Sequence, residues 1–213
     1  MHPLHSFLLT RHTFPVIDHN RLEGNVNEML TNDMQSLRFV ILEGNLLTGT
    51  LDEDFLSNHP EIDTLDLSDN MLKGTLPEHF FSMESLQVLD LHDNMLTGPL
   101  PDFPVNNVLT ILALHQNKFT GAIPANITNL EILEHLDVSA NLLEGPLSPV
   151  FNAMTTLTYL FLAENNFIEG DIPDYGNLVD LRELSLKSTG RTGLIPDFLA
   201  DMDNLILLDL DGE

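Results

Sequence analysis

The chain repeats one sequence pattern about every 24 residues, and this period constrains its fold more than any other feature. Two neighbouring copies span residues 66–77 and 90–101. With the upstream leucine included, each copy reads L-x-x-L-x-L-x-x-N-x-L-x-G-x-[IL]-P. A fixed period of this length indicates a solenoid, in which each repeat buries its apolar face against the next. The asparagine of the pattern recurs every 23 to 25 residues, at Asn20, Asn45, Asn70, Asn94, Asn117, Asn141 and Asn165.

The hydrophobic pattern within each copy predicts a short strand and a bend. In residues 86–91, Leu89 and Leu91 alternate with Val88 and Asp90, so the leucines face one side of a strand and Asp90 faces the other. Equivalent strands lie too far apart in sequence for hairpins, which favours parallel crossovers. The asparagine can satisfy backbone groups that leave the strand ladder at the bend, and the glycine four residues later permits a positive φ.

The return arm and the two ends complete the predicted organisation. Apolar pairs three residues apart, such as Phe80/Met83 and Phe151/Met154, predict one turn of α- or 3₁₀-helix in each arm. Residues 1–13 do not follow the pattern and are predicted to form an N-terminal lid or tail. Residues 14–213 are predicted to form one repeat domain of about eight to nine coils, the last incomplete. Leu205, Leu208 and Leu210 are expected to lie on a last coil that no later repeat covers. This coil would be cut short, covered by an element outside this chain, or used for self-association.

This pattern resembles the leucine-rich-repeat family, and its L-x-G-x-[IL]-P ending looks like the plant-type subclass. The resemblance covers about residues 14–213 and implies an α/β solenoid, a right-handed horseshoe. Its parallel sheet would lie on the concave side, with short helical or 3₁₀ segments and loops on the convex side. Similar proteins are ectodomains of receptor-like kinases, receptor-like proteins and wall-enzyme inhibitors.

Two functions follow from the resemblance. The first is a non-catalytic module that binds a protein, peptide or glycan through the concave face. The alternative is a fragment of the sensing ectodomain of a receptor-like kinase or receptor-like protein in signalling or defence. The family implies an extracellular or membrane-anchored location. The chain itself has no cysteine, no apolar run of membrane-spanning length, and no basic region of a secretory signal in residues 1–10, so the compartment is not assigned.

The charge and the missing motifs exclude several kinds of function. The formal net charge is −25, from 33 acidic and 8 basic residues, which disfavours nucleic acid and anionic membranes as partners. It is compatible with simple solubility and also favours cationic partners or divalent ions. The absence of cysteine excludes disulfides and cysteine-based zinc sites. No G-x-S-x-G, H-E-x-x-H or phosphate-loop motif occurs, so we predict neither catalysis nor a cofactor.

The side chains beside the core leucines are the candidate ligand-binding residues. They are predicted to share one face of the sheet, where little conformational entropy is lost on binding. The alternative is that an aspartate in L-D-L is the ordinary solvent residue of this repeat. The candidates are Asp66, Asp69, Asp90, His92, Asp93, His115, Gln116, His135, Asp137, Tyr159 and Phe161.

Two histidines of this set occupy the same place in adjacent copies. His92 and His115 are therefore expected to have Cβ atoms about 5 Å apart. With Asp90 or Asp93 they could hold a divalent transition metal, or they could form a pH-sensitive pair. The simplest interpretation is favoured, namely that both histidines are solvated and have no functional role. No metal ligand is therefore predicted.

Overall fold

The computed structural model describes residues 20–28 and 36–212, and in these residues all strands pair in parallel within two sheets. One sheet has eight strands, which come from eight successive coils. Its strands are β2 (Phe39–Ile41), β4 (Thr64–Asp66), β6 (Val88–Asp90), β8 (Ile111–Ala113), β10 (His135–Asp137), β12 (Tyr159–Phe161), β14 (Glu183–Ser185) and β15 (Leu207–Asp209). The other sheet has seven strands, β1 (Glu23–Asn25), β3 (Leu46–Thr50), β5 (Met71–Gly74), β7 (Met95–Pro99), β9 (Lys118–Gly121), β11 (Leu142–Pro146) and β13 (Asn166–Ile168).

The eight-stranded sheet confirms the predicted solenoid. Its strands are ordered along the chain from β2 to β15, and residues from the same place in the repeat lie side by side. Leu65 pairs with Leu89, which in turn pairs with Leu112. The core leucines therefore form continuous buried rows, and the side chains between them form rows on the opposite side of the sheet. The predicted N-terminal lid lies outside the described residues.

The bends carry the hydrogen bonds expected of the repeated asparagine. The Asn70 side chain donates to the carbonyls of Leu67 and Ser68 in its own coil and to that of Leu42 in the preceding coil, at 2.9–3.1 Å. Its Oδ1 accepts the backbone N–H of Leu47 at 3.0 Å. Each such side chain therefore connects two coils. The same contacts recur at Asn94, Asn117, Asn141 and Asn165.

The seven-stranded sheet is a feature that the sequence analysis did not predict. It forms just after each asparagine, where Leu72 or its equivalent returns to the core. Its register shifts by two residues per coil, so that Thr48 lies opposite Met71. Glycine is required in this sheet: a Cβ on Gly98, whose φ is +87°, would lie 2.8 Å from Cγ2 of Thr75.

Short 3₁₀ helices occupy the return arms, as the apolar spacing predicted. Phe80, Ile127 and Phe151 are fully buried on these helices and complete the core opposite the eight-stranded sheet. The helices span Val26–Glu28, Glu78–Ser82, Ala125–Asn129, Pro149–Ala153 and Asp197–Asp201.

The leucines of the last strand are more exposed than those of the strand before it. Leu208 is 40% exposed, whereas Leu184, its neighbour in register, is fully buried. Leu205 and Leu210 are half-buried. No helix within residues 20–28 and 36–212 has the length and hydrophobicity needed to cross a membrane.

Candidate functional site

The candidate site is the side of the eight-stranded sheet that faces away from the leucine core, here called the sheet face. It is formed by the first and third residues of each strand and by the second residue after it. Asp66 lies beside Asp90, and His135 and Asp137 lie beside Tyr159 and Phe161. The register therefore places the candidates of β4, β6, β10 and β12 side by side, and Asp69, Asp93 and Gln116 follow in the turns after β4, β6 and β8.

Solvent accessibility divides the candidates into two groups. Six are exposed or half-buried and can meet a ligand directly: Asp69, His92, Asp93, Gln116, Tyr159 and Phe161. Five are at most 5% exposed and lie beneath that surface: Asp66, Asp90, His115, His135 and Asp137. The alternative interpretation, that the aspartates of L-D-L are ordinary solvent residues, is wrong for the three that are buried.

All three buried aspartates close the turn that follows their strand, and Oδ1 of Asp90 does so by accepting the backbone N–H of His92 at 3.1 Å. Oδ1 of Asp66 accepts hydrogen bonds from the backbone N–H and the hydroxyl of Ser68. Oδ1 of Asp137 accepts the same pair from Ser139, at 2.9 Å and 2.6 Å. A carboxylate two residues before a serine is thus a structural element of the repeat, and the D-x-S spacing is the signal that would have revealed it.

The two histidines predicted to lie close together are stacked. The rings of His92 and His115 have centroids 4.3 Å apart and planes 8° apart. Nδ1 of His92 lies 2.7 Å from Oδ1 of Asp90, and Nδ1 of His115 lies 3.3 Å from Oδ2 of Asp137. Each imidazole is therefore oriented by its own carboxylate. Among the described residues no group of three or more His, Asp or Glu side chains has the geometry of a metal site.

The charges in this cluster shift two protonation equilibria. Burial by itself lowers the pKa of His92, but the hydrogen bond and charge of Asp90, with the charges of Asp66 and Glu43, outweigh it and raise that pKa to about 9. The pKa of Asp66 rises to about 8. Burial is the main cause of this rise, and the charge of Asp90 adds to it. The cluster therefore holds more protons near neutral pH than the same groups hold in water.

Beyond the histidines, the sheet face carries an aromatic step, here defined as Tyr159 and Phe161. The two rings lie 6.4 Å apart at 30°, and the ring of His135 lies 5.2 Å from Tyr159 and 5.6 Å from Phe161. Both step residues are half-buried and are held on β12. In β14, Glu183 lies beside Tyr159, which places a carboxylate next to the exposed rings.

Comparison with known proteins shows which folds and repeats the chain resembles. A model of the leucine-rich repeat matches residues 35–96. No match was found among curated proteins. The plant peptide hormone receptor RGFR1, solved with RGF2, superposes with a TM-score of 0.77 at 29% identity over 93% of this chain. The chain thus carries a leucine-rich repeat at residues 35–96, and its fold is similar to that of a plant peptide hormone receptor.

A second receptor shows the same likeness. The leucine-rich-repeat ectodomain of the Arabidopsis receptor kinase HAESA, solved with an IDA peptide hormone, has a TM-score of 0.77 at 27% identity over 85% of this chain. The present chain covers 35% of the RGFR1 chain and 31% of the HAESA chain. It therefore spans about a third of the length of the receptors it matches.

Proposed function

We propose that this leucine-rich-repeat protein is a non-catalytic module that binds a peptide or protein segment across its sheet face. The observation that carries the proposal is the aromatic step: Tyr159 and Phe161 are half-exposed rings on a strand paired on both sides. Rigid aromatic side chains supply contact area at a low entropic cost. RGFR1 and HAESA, which share this fold, were both solved with peptide hormones.

The ligand is expected to be cationic at the points where it meets this face. Asp69, Asp93 and Glu164 are exposed next to it, and Glu183 lies beside Tyr159. An arginine or lysine side chain over an aromatic ring, with a carboxylate at its edge, combines cation–π and ionic attraction. Affinity should therefore fall as the salt concentration rises.

The buried candidates act from beneath this surface. Asp90 and Asp137 orient His92 and His115, and His135 packs against both rings of the aromatic step. We propose that these residues fix the shape and charge of the face, while His92, Gln116 and the exposed carboxylates form the contacts beside the aromatic step.

A displayed peptide library tests the proposal. The tightest peptide selected on the intact protein is measured by titration against Tyr159→Ala/Phe161→Ala. The matched control is Leu142→Ala/Ile168→Ala, which removes two exposed apolar side chains from the seven-stranded sheet. Loss of about tenfold or more in the first variant only is the expected result, since interface hot spots are worth about 1.4 kcal/mol or more. Equal affinity of the two variants for the peptide would show that the binding site does not lie on the sheet face.

A second candidate function is the sensing segment of a larger receptor. It is favoured by the finding that the matched receptors are about three times as long as this chain. Sequencing the transcript on both sides of this segment tests it. Further repeats followed by a membrane span would support a receptor, and stop codons directly flanking the segment would rule it out.

A further inference from the structure

A groove lies along the side of the eight-stranded sheet at which its strands begin, separate from the sheet face. Its volume is about 550 Å³, within the range of sites that hold small molecules and short peptide segments. Three of its lining residues, Glu134, Thr158 and Arg182, directly precede β10, β12 and β14. Further lining side chains are Thr156, Asp180 and Asn204.

The walls of the groove mainly offer hydrogen-bond acceptors. The hydroxyl of Thr156 donates to the carbonyl of Leu133 at 2.7 Å, and that of Thr158 donates to the carbonyl of Glu134 at 2.9 Å. A hydroxyl has a single proton, so the two threonine oxygens keep only acceptor capacity. Glu134 and Asp180 add carboxylates, which accept but do not donate when ionised. A ligand with several N–H donors matches this lining.

The charges of the groove are not neutralised by one another. Glu134, Asp180 and Arg182 are all exposed. None of them takes part in the ion pairs found between side chains within residues 20–28 and 36–212. The two carboxylates are therefore available to a cation, and the guanidinium is available to an acceptor of the same ligand.

We propose that this groove is a subsite for an arginine or lysine side chain of a peptide, with Glu134 and Asp180 as its anionic partners. The proposal rests on the proposed function, because the same peptide would also cross the aromatic step. Thr158 lines the groove and is followed directly by Tyr159, while the backbone N–H of Arg182 donates to the carbonyl of Thr158 at 2.8 Å. The groove and the aromatic step are thus held in one hydrogen-bonded ladder. Arg182 would bind a backbone carbonyl of the peptide.

Titration of the ¹⁵N-labelled protein with a blocked Gly-Arg-Gly peptide tests the subsite. The matched probe is the same peptide with citrulline, which has nearly the shape of arginine but no charge. We expect the arginine peptide to shift the amide signals of residues 156, 158, 182 and 204, and the citrulline peptide to leave them in place. Glu134→Gln/Asp180→Asn should weaken the arginine peptide at least tenfold. Asp54→Asn/Glu78→Gln removes the same charge from exposed positions elsewhere and should leave binding unchanged.

The outcomes separate this subsite from the sheet face. Equal binding of the two peptides, or wild-type affinity in Glu134→Gln/Asp180→Asn, would overturn the groove assignment. Shifts confined to residues 159 and 161 would overturn it too, while leaving the proposed function intact. The groove could also bind the arginine peptide while Tyr159→Ala/Phe161→Ala leaves the affinity for the library-selected peptide unchanged. That result would support the groove assignment and contradict the proposed function of the sheet face.

Discussion

His92 and His115 stack with their ring centroids 4.3 Å apart, and a carboxylate lies close to each ring. Two imidazolium rings at this distance would repel each other. The acids favour the charged form of His92, and the buried carboxyl of Asp66 keeps its own proton to unusually high pH. The cluster therefore links protonation to the stability of the sheet.

Stability should fall as the pH rises from 5 to 9. The folded-state pKa values of Asp66 and His92, about 8 and about 9, both lie above the ordinary values of 3.8 and 6.5. The folded protein then binds more protons than the unfolded chain, and the stabilisation is lost as the pH rises through the folded values. Each group lowers the free energy of unfolding by up to about 1.4 kcal/mol per pH unit within its own window. Urea denaturation followed across this range measures the slope.

A charge-matched pair of variants separates the effect of Asp66 titration on stability from the general repulsion among the acidic residues of the chain. Asp66→Asn keeps an acceptor for the Ser68 N–H but removes the titrating group. Its stability should depend less steeply on pH between 5 and 8 than that of the wild type. Asp69→Asn, an exposed change in the same coil, should keep the wild-type slope. Identical slopes in both variants would show that Asp66 titrates as an ordinary surface carboxylate.

The repeat pattern was sufficient to predict the eight-stranded sheet, its parallel register and the role of the asparagines. It did so because the core leucines and Asn70 or its equivalents meet the same neighbours in every coil. The seven-stranded sheet was missed because its strands are short and contain glycine, and in Met95–Pro99 also proline, which have low strand propensity. These strands form through contacts between coils, which no single copy of the pattern displays.

The candidate site was predicted only in part, for a different physical reason. Period-two alternation tells which side of a strand Asp90 or Asp137 faces, but it does not tell how much solvent reaches that side. The groove was missed because Glu134 and Asp180 lie outside the strands, in two different coils. Their proximity is a property of the stacking of coils, so it became apparent only in the structure.

Removing one asparagine of the bend should destabilise the whole domain. Asn117 donates to the carbonyls of Leu91 and Leu114 and accepts the N–H of Leu96, in a buried setting. Asn117→Ala leaves the Leu96 N–H unpaired and removes one donor from each carbonyl, while Asn94 still donates to Leu91 and Asn141 to Leu114. The change should cost about 3 kcal/mol, because a buried unsatisfied group costs about 1–3 kcal/mol and each lost hydrogen bond about 1 kcal/mol. Asn166→Ala, at an exposed position of β13, is the control and should change the stability by less than about 0.5 kcal/mol. Guanidinium denaturation of both variants compares them directly.

Replacing a buried histidine of a return arm should instead increase the stability of the domain. His59 is 3% exposed, and within the described part of the chain neither ring nitrogen has a hydrogen-bond partner. The equivalent places in other coils hold apolar residues such as Leu130 and Met154. His59→Leu should therefore raise the free energy of unfolding by about 1–2 kcal/mol, the cost of a buried unpaired polar group.

The matched comparison uses a second histidine on the neighbouring arm. Nε2 of His79 lies 2.6 Å from the carbonyl of Phe55. His79→Leu removes that contact and leaves the carbonyl without it, so we expect a loss of stability rather than a gain. Thermal unfolding of the two variants should shift the Tm in opposite directions. A lower Tm for His59→Leu would mean that the imidazole has a partner that its position does not reveal.

Arg191 should be essential for the coil that departs most from the pattern. Thr189 stands at the asparagine place there, and its hydroxyl donates to Leu186 of its own coil. The Arg191 guanidinium instead donates to the carbonyls of Ile168, Asp171 and Thr189, and so connects two coils as the asparagines do elsewhere.

Replacing this side chain therefore removes these side-chain hydrogen bonds, while the backbone bonds from Gly170 to Gly190 and from Thr192 to Gly170 still join the two coils. Arg191→Met should cost about 2 kcal/mol, since hydrogen bonds from a charged donor are worth more than neutral ones. Lys187→Met removes the same charge from an exposed ion pair with Glu164 and should cost less than about 1 kcal/mol. Hydrogen exchange should show faster opening of residues 183–192 in Arg191→Met alone. Equal hydrogen-exchange rates in the two variants would show that Arg191 contributes through its charge alone.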